Sequence, residues 1–187
     1  ITMKDTSIEF GIGKNPEAFE VVINEIYSIP DATISPSLPE IEFVEIYNTT
    51  NQLMSLNGLK FSDASTIEIL PDAVLQAKEY AILVKNSDSP DFLKYGKVVP
   101  LNNFPSLNNT GDILSLRNAD GKLIHQISYL DDWFEDETKS NGGFTLEQKD
   151  PKNPCGGSAN WGASIDVSGG TPGRENSINQ IVNDETS

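Results

Sequence analysis

Glu40-Ile41-Glu42-Phe43-Val44-Glu45-Ile46-Tyr47-Asn48 alternates apolar and acidic residues over most of a strand length, and the turn formers Thr49-Thr50-Asn51 follow it. A period of two is the mark of a half-buried β-strand, because successive side chains leave a pleated backbone on opposite sides. The alternation sets Val44 and Ile46 on one face and Phe43, Glu45 and Tyr47 on the other. Only the first pair is wholly apolar, so that face is expected to look into the core, with Thr49–Asn51 exposed beyond the strand. A charge between Phe43 and Tyr47 needs partners if it is covered. Glu45 is therefore read as structural, satisfied by backbone or by Asn24 on a neighbouring strand.

Outward from this strand the chain is a series of short β-type runs broken by turn signals. Val21–Tyr27 is β-branched and apolar enough for a strand, and Pro30, Pro36 and Pro39 make an irregular loop after it. Asn57-Gly58 signals a hairpin-like turn before the alternating Leu59 and Phe61. Thr66–Leu70 and Glu79–Val84 are further strands separated by a polar turn near Gln76-Ala77-Lys78. A helical turn is expected at Asp91–Tyr95 and an edge strand at Val98–Leu101, where proline is tolerated. Asp112–Arg117 and Lys122–Tyr129 flank Asn118-Ala119-Asp120-Gly121 and should pair antiparallel. Phe144–Gln148 is the last strand expected before the Pro- and Gly-rich stretch Pro151–Gly157, after which Asn160-Trp161 should fold back onto the body of the domain.

Seven or more short strands without a 3.6-residue pattern point to an all-β, immunoglobulin-like antiparallel β-sandwich with an irregular C-terminal segment; a closed barrel is the alternative. A single core is feasible in 187 residues. The expected division is 1–19 as a linker or the end of a preceding domain that includes the run Ile8-Glu9-Phe10, 20–177 as the domain, and 178–187 as a frayed tail or linker.

Twenty-eight acids against 13 bases leave a net charge of −15, with no excess of cations to displace the counterions of a nucleic acid. One cysteine, Cys155, precludes an internal disulfide, and with a single histidine, His125, neither a Cys/His zinc cluster nor most hydrolase triads can be assembled. No run approaches the ~18 apolar residues of a membrane span. The chain is expected to be non-catalytic and to need no cofactor.

Several segments together resemble the lamin tail domain family, an immunoglobulin-like module of nuclear lamins that also occurs in bacterial surface and secreted proteins. They are Ile23-Asn24-Glu25-Ile26, Phe43–Asn48, Leu56-Asn57-Gly58-Leu59, Asn109–Leu116, Asn118–Gly121, Gly143–Glu147, and Asn160-Trp161 followed by Gly169-Gly170-Thr171-Pro172-Gly173. The closing Trp161 and Gly169–Ser177 are similar to the bacterial form. Where many members have a tryptophan after Gly58, this chain has Leu59, and no heptads of a filament rod are present. The resemblance implies an extracellular or cell-surface module acting in adhesion, protein or glycan interaction, or as a spacer. The alternative is an accessory domain beside an extracellular nuclease, phosphatase or glycosidase.

The candidate site in the sequence is the acidic aromatic loop 131–137. Asp131, Asp132, Glu135 and Asp136 suit the oxygen shell of calcium, although the Asp-x-Asp-x-Asp-Gly spacing is absent and a solvated loop is the plainer reading. Trp133 and Phe134 offer either an aromatic contact for a glycan or protein, or a cap on the open end of the sandwich. Glu42 with Glu45, or Asp131 with Asp132, could serve as the carboxyl pair of a glycosidase only across a cleft. His125, between Ile124 and Ile127, reads as a surface or satisfied core residue. Asn48-Thr49-Thr50 and Asn108-Asn109-Thr110 match the glycosylation sequon, which would be idle in a bacterial protein.

Overall fold

The computed structural model describes residues 13–31, 33, 34 and 37–180. The run Ile8-Glu9-Phe10 and residues 181–187 lie outside the described residues. Within them the strands are β1 (Val21–Tyr27), β2 (Phe43–Asn48), β3 (Met54–Ser55), β4 (Lys60–Ser62), β5 (Ile67–Ile69), β6 (Val74–Leu75), β7 (Tyr80–Lys85), β8 (Val98–Leu101), β9 (Gly111–Arg117), β10 (Leu123–Leu130), β11 (Leu146–Gln148) and β12 (Trp161–Ala163). They form a six-stranded sheet in the order β12-β11-β1-β2-β7-β8, a four-stranded sheet in the order β10-β9-β4-β5, and the ribbon β3-β6. The two larger sheets enclose a core that includes Val44 and Ile46 from β2, Leu114 and Leu116 from β9, and Trp161 from β12. No helix among the described residues is long and apolar enough to cross a membrane.

The central strand behaves as its alternation requires: Val44 and Ile46 are fully buried between the sheets. The Asp112–Arg117 and Lys122–Tyr129 runs pair antiparallel as β9 and β10, with Gly121 at φ +86° in their turn. Four expectations change. Thr49 and Thr50 are half-buried while Asn51 is exposed, because the Thr49 hydroxyl donates to the Phe19 and Glu20 carbonyls. The turn at Asn57-Gly58 closes no hairpin: β3 pairs with β6 and β4 with β5 and β9, so the turn carries the chain from the ribbon into the four-stranded sheet. The helical turn lies at Asn86–Phe92 as a 3-10 helix, anchored by the buried Phe92. That segment belongs to the crossover to β8, which pairs parallel with β7, so the large sheet is mixed at one edge.

The six-stranded sheet has a further property: its outer face is also covered. All seven residues of β1 are buried, and Tyr27, Phe43, Ile82 and Val84 form a second apolar cluster with Leu38 and Phe92. A register shift between Ile23 and Glu25 makes this possible. One extra residue at this bulge lets Ile23 and Ile26 both reach the inner core, while the Asn24 and Glu25 side chains bond to groups over the outer face. On the opposite sheet the edge strand β5 inverts the usual pattern. Ile67 and Ile69 face solvent, and Glu68 turns inward to accept from Asn102 N–H at 2.9 Å and Asn103 Nδ2 at 3.0 Å. An inward charge on an edge strand discourages pairing with another chain.

Candidate functional site

The acidic loop is built as a cap. Asp131–Phe134 form one 3-10 turn, Glu135 takes a left-handed conformation, and Asp136 caps the short helix α1 (Glu137–Ser140), its Oδ1 accepting Thr138 N–H at 2.9 Å. Phe134 is buried in the main core. Half-buried Trp133 lies 6.5 Å from the Trp161 ring, so the aromatic pair closes the sandwich end and only Trp133 meets solvent. Asp131, Asp132, Glu135 and Asp136 are exposed, and among the described residues no three His, Cys, Asp or Glu side chains are grouped to hold a metal ion. His125 is a buried, satisfied core residue. Its Nδ1 accepts Ile23 N–H at 3.0 Å, and burial pushes its pKa down to about 4.

The chemically loaded surface is the outer face of the large sheet. Glu147 on β11, Glu25 on β1 and Glu45 on β2 stand in register across three adjacent strands. All three are fully buried. Like charges directly opposite one another are unfavourable, so such a row exists only where something holds it. What holds it is the strap Gly169–Gln180. Glu25 Oε1 accepts from Thr171 N–H at 2.7 Å and from the Thr145 hydroxyl at 2.6 Å. Glu45 accepts from Gly173 N–H at 2.5 Å and from Asn24 Nδ2 at 3.1 Å, the partner expected from the sequence. Glu147 accepts from the hydroxyls of Thr171 at 2.9 Å and Ser177 at 2.8 Å. Asn176 completes the seam by donating to the Asn24 and Gln148 carbonyls. Burial, reinforced by the Glu147 carboxylate, pushes Glu25 up to about 8; burial and Glu25 push Glu45 well above the ordinary carboxylate value.

The glycines of this strap follow from its close approach. A side chain at Gly170 would meet Thr145 Cγ2 at 2.6 Å and Glu25 Oε1 at 2.8 Å. Gly173 has φ +80°, and a Cβ there would lie 1.9 Å from the Tyr95 carbonyl oxygen. Gly173→Ala is expected to lower unfolding free energy by about 2–3 kcal/mol, from left-handed strain plus displacement of the strap off Glu45. Urea titration checks this, and a loss below ~0.5 kcal/mol, the scale of a neutral surface change, would contradict the observed strap path.

Beside the glutamate row the strap leaves a cleft of about 270 Å³. Tyr47 and Tyr80 are cross-strand neighbours on β2 and β7, their half-buried rings stacked at 4.5 Å and 24°. Lys78, in a left-handed turn, and Asp150 and Lys152, from the turn after β11, stand around them with Glu175 and Asn179 of the strap. Burial pushes both phenols above their ordinary pKa, so they remain protonated donors at neutral pH. These residues escaped the sequence reading. The available signal was the alternation Tyr80-Ile82-Val84, which in register with β2 sets Tyr80 beside Tyr47.

Two packed sheets, a closed aromatic end and a covered second face define an immunoglobulin-like β-sandwich whose carboxylates serve its architecture. The chain belongs to the lamin tail domain family: the Lamin Tail Domain matches residues 15–131, from the segment preceding β1 to just past β10. This is a non-catalytic immunoglobulin-like domain family. No curated protein matches the chain. The matched span holds Glu25 and Glu45, whereas Glu147 and the strap lie beyond it.

Proposed function

We propose that this chain is a non-catalytic binding module of a bacterial cell-surface or secreted protein, acting in adhesion through contact with a protein or glycan. The observation that carries this reading is the employment of its carboxylates. Glu25, Glu45 and Glu147 are the acids best placed to act together, and each is sealed from solvent and committed to the strap. General acid–base work needs a group that substrate can reach within hydrogen-bond distance. The accessible chemistry is instead the aromatic cleft, which offers shape and hydrogen bonds. Folding of the module needs no metal.

The chain should therefore turn over neither glycoside nor phosphoester substrates, and its melting temperature should be the same in millimolar calcium as in chelator. Turnover lost on Glu45→Gln, Asp131→Asn or Asp132→Asn would overturn the non-catalytic reading. A calcium-dependent rise in melting temperature, abolished by changing Asp132 and Asp136 to asparagine, would assign a metal to the acidic loop. In the full-length protein, deleting this module should abolish attachment to a surface. If only turnover of an insoluble substrate fell, the module would instead be the accessory domain of a hydrolase.

A further inference from the structure

We infer that the cleft between Tyr47, Tyr80 and the strap is a saccharide site that takes one or two pyranose rings. This rests on the binding-module reading and names its ligand class. The volume, about 270 Å³, is just below the ~300–1,000 Å³ of pockets for drug-sized ligands, which suits a sugar ring or a disaccharide end. Neither Tyr47 nor Tyr80 hydroxyl has a hydrogen-bond partner among the described residues, although both rings are half-buried. The Lys152 ammonium is likewise uncommitted. Asp150 uses Oδ1 for Lys152 N–H at 2.8 Å, and Glu175 uses Oε1 for Asn179 Nδ2, so among the described residues each carboxylate keeps its second oxygen free.

The set that faces the cleft therefore mixes groups that both donate and accept, a pure donor and pure acceptors. A ligand that matches it carries hydroxyls, each able to donate and accept, together with C–H surface for the aromatic rings. Other classes match less well. Lys78 and Lys152 balance Asp150 and Glu175, so the cleft is locally neutral in a strongly acidic chain. A phosphate would meet the two carboxylates and a quaternary ammonium the two lysines. An extended peptide has no free backbone to pair with here, because β2 lies between β1 and β7, and β7 between β2 and β8.

The test is titration of the isotopically labelled 187-residue chain, followed by backbone amide NMR. The probes are trisaccharides of β-linked glucose, β-linked N-acetylglucosamine and α-linked mannose, with tetramethylammonium and inorganic phosphate as competing classes. At least one trisaccharide should give saturable shifts at Tyr47, Tyr80, Lys152 and Glu175 with millimolar or tighter affinity. Tyr80→Phe and Glu175→Gln keep the ring and the strap, and each should weaken binding about tenfold, the effect of one lost hydrogen bond to a polar ligand. Lys94→Ala, outside the cleft, should leave it unchanged. The inference is overturned if no trisaccharide shifts these amides at about 20 mM, well above millimolar affinity. It is equally overturned if shifts saturate elsewhere, or if phosphate or tetramethylammonium binds there more tightly. Such a failure would leave the binding-module reading standing if deletion of the module still abolished surface attachment.

Discussion

Trp161→Ala is expected to destabilise the domain by about 3–5 kcal/mol, the range for truncating a fully buried large aromatic. The indole is completely buried, in the main core, although the chain reaches it through an irregular, Pro- and Gly-rich segment. It lies on the edge strand β12 opposite Gln148 of β11, and its ring is also covered by Trp133 from the acidic loop. Truncation would open a cavity at the meeting of three segments, and the loss should appear as a lower urea midpoint with an unchanged slope. Trp161→Phe supplies the control. The indole Nε1 is buried with no partner among the described residues, so phenylalanine sheds an unsatisfied donor while keeping a ring, and should cost clearly less than alanine. An alanine loss below ~1 kcal/mol would place the ring's energetic role at the level of a surface residue.

The inner core was readable from sequence because it follows from period-two alternation. Val44, Ile46, the β9-β10 pairing and the Asn24–Glu45 bond all come from local pattern plus the rule that covered charges have partners. The outer face was not readable in the same way. Alternation places Glu45 and Tyr47 opposite the core, but whether that side meets water depends on a strap more than 120 residues away in the chain. Glu25 and Glu147 join Glu45 only through strand register, and the register of β1 includes a bulge at Asn24 that the run Val21–Tyr27 does not declare by itself. The short β3-β6 ribbon and the parallel pairing of β8 are likewise tertiary outcomes, since two- to four-residue strands carry too little pattern to declare a partner. The cleft combines both obstacles. Tyr47 and Tyr80 needed the β2-β7 register, while Asp150, Lys152 and Glu175 needed the fold of turns.

The buried glutamates and His125 set opposite slopes on stability against pH, and their sum should place the optimum well below neutrality. Glu25 holds its proton more tightly folded, with a pKa of about 8, than unfolded, near 4.5. Its contribution is fully present below pH 4.5 and is lost as pH rises through 8. Glu45, also raised, acts in the same sense. His125, lowered to about 4 from 6.5, contributes stability that is present above pH 6.5 and lost as pH falls towards 4. Between pH 4.5 and 6.5 two carboxyls therefore work against one imidazole, so stability should fall as pH rises. From 6.5 to 8 Glu25 acts without the imidazole's opposition and the fall steepens. Below pH 4 the depressed Asp166, at about 2, and Asp31, Asp136 and Glu20 turn the curve down again. The maximum is expected near pH 4–5, outside the usual ~5–8, with a loss of up to about 5 kcal/mol by pH 8 from Glu25 alone. Urea unfolding from pH 3 to 9 measures it. Glu25→Gln preserves an acceptor for Thr145 and Thr171 but removes the titration, so it should flatten the limb above pH 5 and exceed the wild type in stability at pH 8. A wild-type profile that is level from pH 5 to 8, or a glutamine variant that follows the same slope, would mean that Glu25 and Glu45 are ionised beneath the strap at neutrality.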